Sequence, residues 1–135
     1  MYEHFNHQAD IGIKGIGSTI DEAFEQAAMG MMAVICNPRT ILPENEVNIF
    51  CTAPDEEFLL VDFLNAIIYE MAVRNILFGK FEVTVKGNCL EAKAWGEKSD
   101  PQKHQTAVEV KGATYTELEV KQESGKWTAQ CVVDV

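Results

Sequence analysis

At 135 residues, 47% of them hydrophobic, the chain has the size and composition of one globular domain spanning residues 1–135, and it needs neither disulfides nor a structural metal to fold. Its 21 acidic and 11 basic side chains give a net charge of −10, which repels a phosphate backbone and argues against direct nucleic-acid binding. This acidity suits a basic protein partner or a cation, or it serves solubility alone. No stretch approaches the roughly 20 apolar residues of a membrane span, so we expect no membrane insertion.

The cysteines and the N-terminus indicate a reducing, cytoplasmic compartment. The N-terminus lacks the basic-then-apolar pattern of a secretory signal, and the cysteines are widely spread with no C-x-x-C pair. All four lie in apolar contexts and are predicted to be buried core thiols. They are Cys36, Cys51, Cys89 and Cys131.

The first predicted elements are a strand and a helix. Apolar residues alternate from Ala9 to Lys14, which is the period of a half-buried strand and turns Asp10 away from the apolar set. A helix from about Ile20 to Ile35 follows, opened by Thr19 with an acidic residue in capping-box spacing. Its apolar stripe contains Ile20, Ala23, Phe24, Ala27, Met31, Val34 and Ile35.

Between these elements, residues 12–19 have the glycine spacing of a phosphate-binding loop. Ser18 stands where that loop needs its lysine, so no fixed cation would meet the phosphates. We therefore favour a flexible turn whose glycines permit positive φ, with Thr19 as the N-cap of the helix.

The rest of the chain predicts one more helix and a run of strands. A strand near Val47–Cys51 precedes a helix that Pro54 and its acidic neighbours open and that continues to about Val73. A hairpin turns at Gly87-Asn88. The remaining predicted strands are Phe81–Val85, Leu90–Ala94, Val108–Val110, Tyr115–Val120 and Trp127–Val133. This order predicts an α+β two-layer sandwich, with two helices packed on a mainly antiparallel mixed β-sheet.

The two ends of the chain carry the most site-like residues. Asp134 falls in the more polar phase of the last strand, as Asp10 does in the first, and chain ends are often close in compact domains. With the terminal carboxylate of Val135, the two aspartates would form an oxygen-rich site for Ca²⁺ or Mg²⁺; the alternative is two solvated carboxylates. His7 would lie beside this cluster as an outer contact, a partner contact or a structural residue.

Other site chemistries find little support. The histidines and cysteines lack zinc-site spacing, and no G-x-S-x-G elbow is present. A stand-alone metal-dependent phosphohydrolase using the same carboxylates stays an alternative, although a base and a phosphate clamp are not evident.

Several blocks in order resemble the archease family over nearly the whole chain. They are Phe5–Ile13, Gly17–Phe24, Leu59–Asn65, Gly96-Glu97 with His104, Val110–Tyr115 and Trp127–Val135.

This resemblance implies a function and a set of site residues. It implies a cytoplasmic accessory protein, itself no ligase, that activates an RNA-splicing ligase acting on tRNA halves or broken RNA, by promoting ligase guanylylation and turnover. Asp10 and Asp134 match the family's metal-binding aspartates, and Val135 matches the terminal residue that adds oxygen ligands, usually to Ca²⁺. A general chaperone-like interaction module is the other alternative.

Two further residues match recurrent motif positions of the family, and one departs from them. The matches are His7 and Lys111. Thr116 stands where the family often has histidine. This departure means that a role for an imidazole at that position does not carry over to this chain, whereas the metal-binding aspartates are unaffected.

Overall fold

The computed structural model describes residues 1–135 and contains eight strands and three α-helices. The strands are β1 (Tyr2–His7), β2 (Asp10–Gly17), β3 (Asn45–Thr52), β4 (Ile76–Lys86), β5 (Cys89–Lys98), β6 (Gly112–Ala113), β7 (Glu119–Glu123) and β8 (Lys126–Asp134). The helices are α1 (Ile20–Ile35), α2 (Glu56–Arg74) and the short α3 (Pro101–His104). None of the helices has the length and apolar character needed to cross a bilayer.

The strands form two antiparallel sheets. In the first, the order is β1-β2-β8-β6, and β7 also pairs with β8; in the second, the order is β3-β5-β4. All strand pairs are antiparallel, and the α+β class with helices on antiparallel sheets is confirmed. The single mixed sheet expected from the sequence is instead divided in two. Strand β3 pairs with the β4–β5 hairpin, whereas the strands near the two ends of the chain pair with each other.

The two long helices begin as their sequences predict. The side chain of Thr19 accepts a hydrogen bond from the N–H of Glu22 at 3.1 Å, and that of Asp55 accepts one from the N–H of Phe58 at 2.8 Å. Both helices carry acidic residues in the first turn, where a negative charge interacts favourably with the positive end of the helix dipole. Asn75, with φ 54°, ends α2 in the left-handed conformation.

The glycine-rich segment after the first turn is strand, which corrects the turn predicted there. Gly12, Gly15 and Gly17 all lie in β2, and none of them has a positive φ. A Cβ on Gly15 would lie 2.1 Å from the carbonyl oxygen of Ala23 and 2.3 Å from the nitrogen of Ala27. Glycine is needed here because the backbone of α1 packs directly on β2.

The core lies between the helices and the two sheets. Four phenylalanines form a chain of ring contacts through it: Phe24 and Phe63 have ring centroids 6.3 Å apart, Phe63 and Phe81 6.4 Å, and Phe78 and Phe81 5.9 Å. These contacts join α1, α2 and β4. The same buried cluster includes residues of β2 and β8, so one core serves both sheets.

Side chains from the helices satisfy the backbone of edge strands in both sheets. Two carboxylates of α1 accept hydrogen bonds from the backbone of β4. Glu25 accepts from the N–H of Val83 at 2.8 Å, and Asp21 accepts from the N–H two residues further along β4, also at 2.8 Å. In the other sheet, Glu57 of α2 accepts from the N–H of Val120 at 3.3 Å. Edge strands with occupied donors are poor templates for pairing with another chain.

Predictions for residues 108–120 need correction. Residues 105–111 form no strand, although Val110 is buried, and residues 115–117 form a turn in which Glu117 has φ 55°. The strand predicted from Tyr115 begins only at Glu119. Strand β1 was not predicted, because its residues are mostly exposed and show no apolar alternation.

One of the four cysteines is not a core thiol. Cys36 and Cys131 are buried and Cys51 is partly buried, whereas Cys89, at the start of β5, is exposed. Cys89 follows the Gly87-Asn88 turn, where the hairpin leaves the core. The prediction of four buried thiols is therefore wrong at this position.

Candidate functional site at the paired chain ends

The β1–β2 hairpin brings His7 opposite Asp10. The two residues are the last pair of the ladder, and Gln8 and Ala9 form the tight turn between them. Gln8 takes φ 54°, a left-handed conformation that allows the chain to reverse within this short turn. Both flanking side chains are half-buried.

The β2–β8 ladder brings the second aspartate to the same row. Ile11 pairs with Val133 and Gly12 with Val132, so continuing the register by one residue sets Asp10 opposite Asp134. His7, Asp10 and Asp134 thus lie side by side across three neighbouring strands at one end of the first sheet. We call these three residues the acidic row.

The backbone geometry makes this aspartate pair close. Val132 exchanges hydrogen bonds with Thr114 and Thr116, and the carbonyl of Asp134 accepts from the N–H of Lys111 at 2.8 Å. The polar backbone groups of these β8 residues therefore point away from β2, and Asp10 and Asp134 occupy a non-hydrogen-bonded position of the ladder. Cα atoms at such positions are about 4.5 Å apart, and their side chains approach closely.

An apolar base supports the row on the outer face of the sheet. A Cβ on Gly12 would lie 2.1 Å from the ring of Phe5, so the ring of Phe5 covers Gly12 directly. Val132, in register beside Gly12, is only 1% exposed. The acidic row therefore stands at the end of a small packed platform, on the face opposite the core residues Ile13 and Cys131.

The electrostatics of the row favour a cation. Like charges directly opposite each other in a sheet are destabilising, and two carboxylates offer the oxygen donors that hard cations prefer. The chain nevertheless has no group of three or more His, Cys, Asp or Glu side chains arranged to hold a metal. The two carboxylates therefore offer donors of the kind that a hard cation binds, but they are too few to form a metal site by themselves.

Lys111 and Thr116 both border this site through the backbone. The N–H of Lys111 bonds to Asp134, and the carbonyl of Thr116 accepts from the N–H of Val132 at 3.1 Å. The Lys111 side chain is exposed and forms no ion pair in the structure. It is available to an anionic group that approaches the acidic row.

Asn65 of α2 holds the neighbouring strand and was not recognised as a site residue from the sequence. Its Oδ1 accepts from the N–H of Ala113 at 2.9 Å, and its Nδ2 donates to the carbonyl of the same residue at 3.3 Å. Gly112 pairs with Asp134 on the other side. The amide therefore fixes the position of β6 and, through it, the edge of the acidic row. An exposed asparagine on a helix gives no sequence signal for such a clamp.

A second polar cluster, in which Glu97 and His104 are buried, lies at the end of β5. The carboxylate of Glu97 accepts hydrogen bonds from Lys103, His104 and the N–H of Leu42, and these bonds lower the pKa of Glu97 to about 2. The cluster anchors α3 to the second sheet. Since all its polar atoms are engaged, it offers no free site for a substrate.

Comparison with known proteins agrees with the resemblance read from the sequence. Residues 2–135 match the family model described as Archease protein family (MTH1598/TM1083). The chain belongs to the archease family. An archease of Pyrococcus furiosus is 40% identical over 140 residues, covering 100% of this chain and 99% of the relative. One of Methanosarcina mazei is 39% identical, covering 99% of this chain and 95% of the relative.

Solved structures of the family share the fold. The solution structure of Methanobacterium thermoautotrophicum protein 1598 superposes with a TM-score of 0.87 at 30% identity, covering 99% of this chain and 98% of that one. A crystal structure from Thermotoga maritima, described as an archease and possible chaperone, has a TM-score of 0.64 at 19% identity, covering 100% of this chain and 98% of that one. At that identity the second match supports the fold alone.

Proposed function

We propose that this chain is an accessory protein that activates an RNA-splicing ligase in the cytoplasm, without being an enzyme itself. The observation that carries the proposal is the acidic row, in which the sheet register sets Asp10 opposite Asp134 at the tip of the first sheet, beside the exposed Gln8-Ala9 turn. The family resemblance matches these two residues to metal-binding aspartates.

The charge of the chain supports a protein partner. A protein of net charge −10 is repelled by RNA but is attracted to the basic active-site cleft of a ligase. In the proposed complex the tip enters that cleft, and Asp10 and Asp134 help to arrange the groups that exchange the guanylyl moiety. The ligase histidine then takes the guanylyl group from GTP, and pyrophosphate leaves.

We include a divalent cation, Ca²⁺ or Mg²⁺, in the proposal. Asp10 and Asp134 would hold it with oxygen from the Val135 terminus, and it would supply positive charge near phosphate groups. Within this chain, the role of the two carboxylates is to bind the ion and to present it at an exposed tip. His7, beside Asp10, would orient that carboxylate or contact the partner.

A guanylylation assay tests the proposal. A cognate ligase is incubated with labelled GTP, with and without the purified chain, and again after treatment with a chelator. We expect faster formation and repeated turnover of the guanylylated ligase when the chain is present, and a smaller stimulation in chelator. Equal rates with and without the chain would contradict the proposed function.

A general chaperone is the second candidate, favoured by the description of the Thermotoga maritima protein as a possible chaperone. A chaperone would suppress the aggregation of unrelated client proteins and would not depend on Asp10 or Asp134. An aggregation assay with two unrelated clients distinguishes the two functions.

A further inference from the structure

The outward side of α2 is unusually apolar. Its inner side packs in the core through Leu60, Phe63, Leu64 and Ile67. Phe58, Tyr69 and Val73 lie on the opposite side and are 40%, 63% and 58% exposed. A helix that carries apolar residues on both sides is expected to be covered on both sides. Within this chain the outer side is covered only near Phe58, and Tyr69 and Val73 stay exposed.

Two residues from the segment after α3 extend this surface. Tyr115 is 62% exposed and meets the ring of Phe58 edge-on, with centroids 5.2 Å apart and planes at 89°. Val108 is 41% exposed and lines an apolar groove with Ile68 and Met71. We call the combined surface the aromatic face. It consists of Phe58, Asp62, Asn65, Tyr69 and Val73 of α2 with Val108 and Tyr115.

Hydrogen bonds and strand pairing connect the aromatic face to the acidic row. Asn65 belongs to the face and clamps Ala113, while the adjacent Gly112 pairs with Asp134. Tyr115 stands between Thr114 and Thr116, which both bond to the backbone of Val132, two residues from Asp134. These hydrogen bonds therefore link the position of the aromatic face to that of the acidic row.

The charges around the face select its partner. Asp62 on the face and Glu109 and Glu117 in the adjoining segment are exposed and unpaired, and the whole chain carries −10. Two copies of the chain would bring these acids together, which opposes self-association through this face. A basic protein surface with an apolar centre is complementary to it.

We propose that the aromatic face is the docking surface for the ligase, with Phe58 and Tyr115 as its anchors. The inference rests on the function proposed above and assigns separate roles to the two surfaces. The aromatic face supplies affinity, since exposed aromatic residues that become buried often dominate binding energy. The acidic row supplies the stimulation of the bound ligase.

A binding titration combined with the guanylylation assay tests this division. The variants are Tyr115→Ser and Phe58→Ser, and Phe50→Ser is the matched control because Phe50 is 64% exposed on the other sheet. We expect each test variant to raise the Kd for the ligase at least tenfold, with the full stimulation recovered at saturating concentration. The control should bind as the wild type does. Circular dichroism checks folding, and Tyr115→Ser alone suffices if Phe58→Ser fails to fold.

The possible results separate this inference from the proposed function. If the wild type neither binds nor stimulates the ligase, the proposed function fails. If the wild type does both and the two test variants keep wild-type Kd values, only the docking inference is overturned. A wild-type dimer at micromolar concentration that Tyr115→Ser dissociates would also overturn it, because the face would then belong to a second copy.

Discussion

Glu97 and His104 form a buried pair in which the Nε2 of His104 lies 2.9 Å from the Glu97 carboxylate. The other ring nitrogen, Nδ1, accepts from the N–H of Asp100 at 3.0 Å. Nδ1 can accept only if Nε2 carries the proton, so the backbone of Asp100 fixes the tautomer that donates to Glu97. The pair holds α3 against the second sheet. It thereby fixes the start of the segment that leads to the acidic row.

The first prediction concerns acid stability. Because hydrogen bonds from Lys103, His104 and Leu42 lower the pKa of Glu97 from 4.5 to about 2, the folded state is favoured by this carboxylate above pH 4.5. That contribution is lost as the pH falls from 4.5 towards 2. Glu97→Gln should lower the free energy of unfolding at neutral pH and reduce its decline in this range. Urea unfolding at a series of pH values measures both effects.

Glu91→Gln is the matched control for this prediction, since Glu91 is an exposed acid on the same strand without a hydrogen bond. Its pH dependence should follow that of the wild type. A decline in Glu97→Gln as steep as in the wild type would show that Glu97 is not responsible.

The second prediction concerns the contact between β2 and α1. Gly15→Ala places a methyl group against the backbone of α1, which cannot move aside as a flexible side chain could. The variant should lose about 1–3 kcal/mol of unfolding free energy or more. Gly112→Ala is the control, because its Cβ would meet only the Asn65 side chain at an ordinary 3.6 Å. Equal urea midpoints for the two variants would refute the close packing.

The third prediction concerns thiol reactivity. Cys89 is exposed, whereas burial raises the pKa of Cys131 to about 12 and so suppresses its thiolate. Under native conditions an alkylating reagent should modify Cys89 first and Cys131 last. Peptide mass spectrometry over time gives the order. Rapid modification of Cys131 in the folded protein would be inconsistent with its buried position.

The fourth prediction concerns the cation. If Asp10 and Asp134 bind Ca²⁺, millimolar Ca²⁺ should raise the Tm of the wild type and leave that of Asp10→Asn unchanged. In chelator, Asp10→Asn should be at least as stable as the wild type, because it removes one of two facing negative charges. Glu46→Gln, an exposed acid on the other sheet, should respond to Ca²⁺ as the wild type does. An equal rise for all three proteins would mean that the ion binds elsewhere.

The sequence predicts most of the fold and part of the site because local signals specify them. The caps at Thr19 and Asp55 and the apolar stripes of the long helices act within a few residues, and the structure contains them as expected. The phase of Asp10 and Asp134 follows from strand alternation, which is also local. Their meeting in one row follows from the β2–β8 register, which no local pattern encodes.

The features that the sequence does not reveal depend on distant contacts. Gly15 belongs to a glycine-rich segment that predicts a turn, but it lies in a strand. Glycine is needed at this position because the backbone of α1 packs against it. In the sequence Asn65 is an ordinary exposed helix residue, and its role lies in the hydrogen bonds that it forms with Ala113. Strand β1 has no apolar alternation, and its place is set by the hairpin with β2.

The proposed action of the acidic row within the active site of an RNA-splicing ligase is tested by the rate of ligase guanylylation. The rate is measured at saturating concentrations of wild type, Asp10→Asn, Asp134→Asn and Glu46→Gln, with ligase binding measured in parallel. We predict that the two aspartate variants bind the ligase but lose its stimulation, and that Glu46→Gln stimulates as the wild type does. Full stimulation by both aspartate variants would contradict the proposed role of the acidic row.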